Sequence, residues 1–226
     1  MDEDREVVNK RQRLPKETHA TVQDAKITKN GKVLKIEAQI NAFIDAELPY
    51  SVIDDVVNIS LFPEVNDEIY SSLSTWNNVN FTPKSKLFMH HVSESSHQSC
   101  NDLLSAIHDI FTDSHIHLKV IYSLPGDVAQ LQHTDMLDKY TRTNLQDRRK
   151  YHYSIIVAVC NNTKLIFEKV LIDIPVESMI MFRGDTPHAG AAAYKYYNHR
   201  FFISIAHPLY PVHNAVNLIT DKKKKV

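Results

Sequence analysis

Ile116-His117-Leu118-Lys119-Val120-Ile121-Tyr122-Ser123-Leu124 places apolar side chains at every second position, with His117, Lys119 and Ser123 among those between. Successive side chains of an extended strand point to opposite faces, so a period of two predicts a strand with one face in a core. Pro125-Gly126-Asp127 then turns the chain. The pattern of short apolar runs and turn residues continues downstream. It predicts strands over residues 130–135, 151–159, 164–169, 170–174, 179–182 and 198–206, with turns at Asn161-Asn162 and at 175–178. Seven or eight short strands with no helical pattern between them point to an antiparallel sandwich or barrel. Residues 136–150 are polar and aperiodic, which predicts a loop or lid.

Upstream of this stretch the period is 3.6. Ile36, Ile40, Phe43, Ile44 and Leu48 follow helical spacing within 33–48, and Pro49 stops the helix. Ile69, Leu73 and Trp76 predict a second helix. Leu103, Leu104, Ile107, Ile110 and Phe111 predict a third, with Asn101 as candidate cap. Residues 51–62 suit either a strand or a buried helix. The expected fold class is therefore α+β, mainly β. A charged mobile tail (1–32) leads into a mostly helical support (33–115) that buttresses a closed β core (116–210), and a basic tail (211–226) follows.

Composition bounds the function classes. The 226 residues suffice for one decorated domain, and 43% hydrophobic content is ordinary for a soluble globular protein. With 26 basic and 27 acidic side chains, no global basic field draws the chain to nucleic acid. No apolar run reaches the length of a membrane span, and the charged first 13 residues do not read as a secretory signal. Cys100 and Cys160 are expected as two buried thiols in a reducing, intracellular compartment, cytoplasmic or nuclear. Three of the four glycines, Gly126, Gly184 and Gly190, cluster around the residues considered next.

His133-Thr134-Asp135 is followed by His188, 53 positions after the aspartate, and by Arg200 a further 12 on. His133 and Asp135 are two apart, so an extended strand turns both to one face, where they can share a metal. Two histidines and one carboxylate are the ligand set of a non-haem iron(II) oxygenase site. They fill one face of an octahedral ion and leave the opposite face open. Flanking Phe201, Phe202 and Ile203 predict a buried neighbourhood for Arg200.

The order His-x-Asp…His…Arg occurs here with Tyr122-Ser123-Leu124-Pro125-Gly126, Gln130, Thr163-Lys164-Leu165, and Met181-Phe182-Arg183-Gly184-Asp185-Thr186-Pro187-His188-Ala189-Gly190. Together these resemble the Fe(II)/2-oxoglutarate-dependent dioxygenases over about residues 116–208, most of all the prolyl 4-hydroxylase-like and phytanoyl-CoA-hydroxylase-like branches. The resemblance implies a double-stranded β-helix, or jelly roll. It implies that His133, Asp135 and His188 hold Fe(II), that 2-oxoglutarate and dioxygen are co-substrates, and that the distal carboxylate of 2-oxoglutarate pairs with Arg200. The implied reaction decarboxylates 2-oxoglutarate to succinate and CO2 while hydroxylating a substrate C–H bond. A hydroxyl usually assists the arginine. Ser204 shares the arginine's face but lies one step beyond the usual Arg-x-Ser spacing, and Tyr122 and Tyr153 are alternative donors. The offset of 12 is slightly long, implying a bulge around 195–198. Asp185 reads as a turn residue rather than as a partner of His188.

The main substrate, whether protein, nucleic acid or small molecule, is not legible. Lys139, Tyr140, Arg142, Arg148, Arg149 and Lys150 lie beside the first two ligands, and Tyr194, Lys195, Tyr196 and Tyr197 follow the last. Such residues at a site mouth would fit nucleic acid or an acidic peptide, although exposed loop charges need no partner. The clusters Lys10-Arg11-Gln12-Arg13 and 222–225 would suit a nuclear address or tail contacts to nucleic acid. Other classes compete: a jelly-roll binding module without turnover, a cupin enzyme that needs no buried Arg200, and a nucleic-acid-associated protein using the basic loop and tails.

Overall fold

A computed structural model describes residues 22–58, 77–78, 87–91, 100–136, 147–191, 196–208 and 217–218. It is mostly β, with two α-helices among the described residues. Helix α1 spans Val22–Ala46 and α2 spans Asn101–Ile110. The strands are β1 (Tyr50–Ile53), β2 (Asn77–Asn78), β3 (Leu87–His91), β4 (His115–Ser123), β5 (His133–Thr134), β6 (Tyr153–Ala158), β7 (Thr163–Phe167), β8 (Val170–Ile174), β9 (Met179–Arg183), β10 (His188–Gly190), β11 (Asn198–Ala206) and β12 (Asn217–Leu218). They pair antiparallel in two sheets. The larger runs β1-β9-β6-β11-β4-β3-β2 and the smaller β12-β5-β10-β7-β8.

The larger sheet is buried on both faces. On one, Leu118, Val120 and Tyr122 of β4 and Phe201, Ile203 and Ile205 of β11 pack with Ile36, Ile40, Phe43 and Ile44 of α1 and Leu103, Ala106 and Ile107 of α2. On the other, Ile121, Ile156, Ala158, Ile180 and Phe182 meet Leu165, Phe167 and Ile174 of the smaller sheet. This explains why the alternation in β4 fades at Ile121. A strand with apolar layers on both sides has no solvent face to mark.

The 3.6 period located both packed helices, with differences at their ends. Helix α1 begins at Val22, inside the expected tail. Once the packed half from Ile36 to Ile44 has nucleated a helix, each further turn costs little. It ends at Ala46 because Glu47 adopts a left-handed φ of 54°, two residues ahead of Pro49. Leu48, expected on the buried face, is therefore carried out of the helix and is 46% exposed. Arg148 closes this end. Its Nη1 donates to the carbonyls of Asp45 (2.9 Å) and Ile44 (3.4 Å), which lack intrahelical partners, and its Nη2 pairs with Glu47. Asn101 does not cap α2; Cys100 holds the cap position and Asn101 is the first helical residue.

Of residues 51–62, for which the sequence suits strand or helix, 51–53 enter the larger sheet in β1, paired with β9 from Tyr50↔Phe182 to Ile53↔Met179, and 59–62 lie outside the described residues. β2 and β3 add two more strands from the region expected to be mostly helical. The predicted helix at 69–76 lies outside the described residues. Among the described residues, β4 to β11 make eight strands, at the upper end of the expectation. β5 is shorter than residues 130–135, and Asp135 follows it in a bend. Asn217–Leu218, expected in the basic tail, forms β12 against β5. Neither cysteine is in a disulfide; Cys100 is buried and Cys160 partly so. No helix among the described residues is long and apolar enough to cross a membrane.

Ile40→Ala should lower the unfolding free energy by about 2–5 kcal/mol, since Ile40 is fully buried between helix and sheet. Leu34→Ala, on the exposed side of the same helix, should change it by less than about 0.5 kcal/mol. Urea unfolding of both variants checks the layer order, and equal losses would contradict it.

Candidate metal centre

His133 and His188 meet because β5 and β10 are antiparallel neighbours with His188 directly opposite His133. Their ring centroids lie 4.4 Å apart, and both residues are buried. His133 Nδ1–H donates to the carbonyl of Leu131 at 2.8 Å, and His188 Nδ1–H donates to the carbonyl of Thr186 at 3.0 Å. A carbonyl oxygen only accepts, so Nδ1 carries the proton and, in the neutral ring, Nε2 carries the lone pair. Asp135 Oδ1 lies 3.7 Å from each Nε2. The three ligand atoms fall within 4.8 Å of one another, a group able to hold a metal ion. Its donors, two imidazole nitrogens and one carboxylate oxygen, fit a divalent transition metal.

The electrostatics favour the ligand forms of His133 and Asp135. Burial, reinforced by His188, pushes the His133 pKa below its ordinary value against the opposing pull of Asp135 and the Leu131 carbonyl. Burial alone would raise Asp135. The combined pull of His188, His133, the Ser154 hydroxyl and His152 outweighs it and holds the carboxyl below the usual range. Ser154 Oγ–H donates to Asp135 Oδ2 at 2.6 Å. Buried His152 sits beside this group with its Nε2 3.1 Å from Ser204 Oγ, and burial lowers its pKa despite Asp135 and Asp185.

Loop chemistry fixes the approach of the strands. Leu124-Pro125-Gly126-Asp127 closes with Asp127 N–H on the Leu124 carbonyl (3.1 Å), and Gly126 takes a φ of 73° that a side chain would resist. Gln130 then clamps β10: its Oε1 accepts from Gly190 N–H at 2.7 Å and its own N–H donates to the Gly190 carbonyl at 3.0 Å. A Cβ on Gly190 would lie 2.5 Å from that Oε1, so only glycine admits the clamp. Met136 N–H donates to the Gly184 carbonyl (2.9 Å), tying the residue after Asp135 to the end of β9. Asp185 accepts from Arg183 Nε at 3.1 Å and closes a turn, as its sequence position implied, while His188 turns to the Thr186 carbonyl.

Arg200 lies on β11 opposite Ile121 and Ala158, on the face between the sheets, and is 3% exposed. Its Nη1 donates to Ser123 Oγ (3.1 Å) and Asn198 Oδ1 (2.9 Å). Asn198 Nδ2 in turn donates to Thr163 Oγ1 at 3.1 Å. These two bonds aim the guanidinium. Arg200↔Ala158 lies four residues along β6 from Ser204↔Ser154, the row that touches Asp135. At the usual rise per residue that is about 13 Å.

A hydroxyl that Arg200 Nη1 meets is that of Ser123, a residue outside the sequence-derived candidates. Ser204 shares the inter-sheet face but lies a full row away, on His152. Tyr122 and Tyr153 belong to the opposite, helix-facing layer. Tyr122 stacks on Tyr197 at 5.7 Å, and Tyr153 donates its hydroxyl to the Arg148 carbonyl at 3.0 Å. Two residues of the basic loop are also engaged within the chain. Arg148 closes α1, and Arg149 Nη2 donates to Asn41 Oδ1 at 2.9 Å. Lys139, Tyr140, Arg142, Tyr194, Lys195 and the charged clusters of the termini lie outside the described residues.

The same fold recurs in solved structures. A prolyl 4-hydroxylase from Pseudomonas putida matches with a TM-score of 0.57 and 13% identity, over 76% of this chain and 98% of that one. HygX from Streptomyces hygroscopicus, with nickel and 2-oxoglutarate bound, matches with a TM-score of 0.56 and 9% identity, over 77% and 88%. A prolyl hydroxylase from Trichoplax adhaerens, in complex with a hypoxia inducible factor oxygen degradation domain peptide fragment, matches at 0.54 and 12% identity, over 84% and 94%. No family model matches the sequence, and neither does any curated protein. At these identities the likeness is one of fold: this chain has the fold of prolyl 4-hydroxylases and of a 2-oxoglutarate-binding metalloprotein.

His199, next to Arg200, has its pKa pushed down to about 4 by burial and then by the guanidinium. An unfolded histidine titrates near 6.5, so between about 6.5 and 4 the unfolded chain binds a proton that the folded chain refuses. This contribution to stability is present above that window and is lost as pH falls through it, by at most about 3 kcal/mol. His199→Gln should therefore flatten the acid-side slope of unfolding free energy against pH relative to the parent, and parallel slopes would refute the assignment.

Proposed function

We propose that this chain is an Fe(II)- and 2-oxoglutarate-dependent oxygenase that hydroxylates a substrate C–H bond, oxidative demethylation being the same step on a methyl group, with release of succinate and CO2. One observation carries the reading. Two imidazoles locked by backbone carbonyls turn their Nε2 lone pairs, together with Asp135 Oδ1, toward a common point. His133, Asp135 and His188 would hold the iron, which supplies dioxygen activation when bound. Three protein donors leave positions for the oxo-acid end of 2-oxoglutarate and for dioxygen.

Arg200 is the anchor for the distal carboxylate of 2-oxoglutarate in this reading. It is buried on the inter-sheet face, aimed by Ser123 and Asn198, at a separation from the Asp135 row that suits an arginine side chain followed by a five-carbon diacid. Surrounding Ile121, Ile156 and Phe202 exclude water from that path. The two sheets then form a double-stranded β-helix, with residues 116–210 as the catalytic unit. The similar folds hold molecules as different as a peptide fragment and, in HygX, hygromycin B, so the fold alone does not choose the substrate. The internal pairing of Arg148 and Arg149 weakens the competing view of the loop as a nucleic-acid surface.

Anaerobic protein mixed with Fe(II) and 2-oxoglutarate should develop a visible charge-transfer band from chelation of the metal by the oxo acid. A folded protein that gives no band would sink the proposal. Arg200→Ala should leave metal binding intact and weaken 2-oxoglutarate roughly 10- to 100-fold, the worth of hydrogen bonds to a charged group. Calorimetric titration with Mn(II) present measures this, and an unchanged affinity would remove Arg200 from the anchor role.

A further inference from the structure

We propose that Ser154 holds Asp135 to a single ligating oxygen and thereby keeps one metal position free for dioxygen. The inference rests on the metal centre proposed above and assigns a positioning residue to it.

The two oxygens of Asp135 are treated differently by the fold. Oδ1 faces both histidine Nε2 atoms at 3.7 Å, while Oδ2 accepts a short 2.6 Å hydrogen bond from Ser154 Oγ. Ser154 is fully buried at the start of β6 and lies opposite Ser204 in register, so its hydroxyl is carried on an interior strand of the larger sheet. It is the one polar residue in Tyr153-Ser154-Ile155-Ile156-Val157-Ala158, apart from the tyrosine hydroxyl on the other face. A buried hydroxyl in such a strand needs a partner, and its partner is the outer oxygen of the carboxylate.

The consequence is a matter of counting positions. Two nitrogens and one oxygen would take three of the six sites of an octahedral ion; an oxo-acid chelate would take two more and leave one. A carboxylate that ligated through both oxygens would fill that last site. Without Ser154, Oδ2 would be a buried anionic oxygen stripped of its donor, and it would turn to the cation beside it. Ser154 thus acts through Asp135, holding its outer oxygen back from the metal.

Mn(II) alone, added to the full chain, tests this without turnover, because broadening of its electron paramagnetic resonance lines by 17O-water counts coordinated waters. The parent should keep three waters, filling the open face, and Ser154→Ala should lose one of them to the second carboxylate oxygen. Ser154→Thr, which retains the hydroxyl, should keep all three. Ser178→Ala is the matched control: its buried hydroxyl also donates to a carboxylate, Asp54 Oδ1 at 2.8 Å, away from the site. It should lose comparable stability with no change in the count. Three waters in Ser154→Ala would overturn the inference and leave the metal centre standing. A parent that binds no manganese would overturn the centre and the inference together.

Discussion

Two backbone carbonyls, those of Leu131 and Thr186, govern the centre. Each takes the Nδ1 proton of the histidine two residues downstream and so decides which nitrogen faces inward. Moving either proton to Nε2 would set the Nδ1 lone pair against a carbonyl oxygen and forfeit a buried hydrogen bond, a cost of roughly 1–3 kcal/mol. The rings are thus oriented by the protein before any ion arrives. The facing register His188↔His133 then makes a pair of them, and the Gln130 clamp on Gly190 holds that register at the next turn of the chain.

The rest of the fold serves to make one side of a sheet dry and the other selectively polar. Helices α1 and α2 cover the outer face with aliphatic side chains, which frees the inner face to carry Ser154, Ser204, Ser123, Asn198 and Arg200 among its apolar residues. These polar groups are distributed by row. At one level Ser154 attends to Asp135 and Ser204 to His152, and six residues along β11 Asn198 and its neighbour Ser123 attend to Arg200. Arg148 links the helical cover to the start of β6 by holding the last carbonyls of α1.

Much of this was legible in the sequence for physical reasons. The spacing His133-x-Asp135 needed only strand geometry, and β8 and β11 have the ends that alternation and turn residues marked. The partner of Arg200 was not legible. The sequence offers a hydroxyl on β11 and two on tyrosines, whereas Ser123 reaches Arg200 from β4, from a position 77 residues earlier in the chain. Sequence periodicity reports a face within one strand; it is silent on register between strands. Ser154 did leave a signal, since a lone serine in an aliphatic strand must be satisfied somewhere. Strands β2 and β12, two residues each, are too short to carry a period at all.

β12 bears on how the molecule is made. It pairs Leu218 with His133 and Asn217 with Thr134, covering the flank of β5 that β10 leaves open. Leu218 follows His133 by 85 residues, so it leaves the ribosome long after the strand it protects. Throughout that interval β5 has a bare edge whose amide and carbonyl groups invite pairing with a neighbouring chain. Association between nascent polypeptides is therefore the hazard this topology carries, and the interval ends only when β12 is laid down.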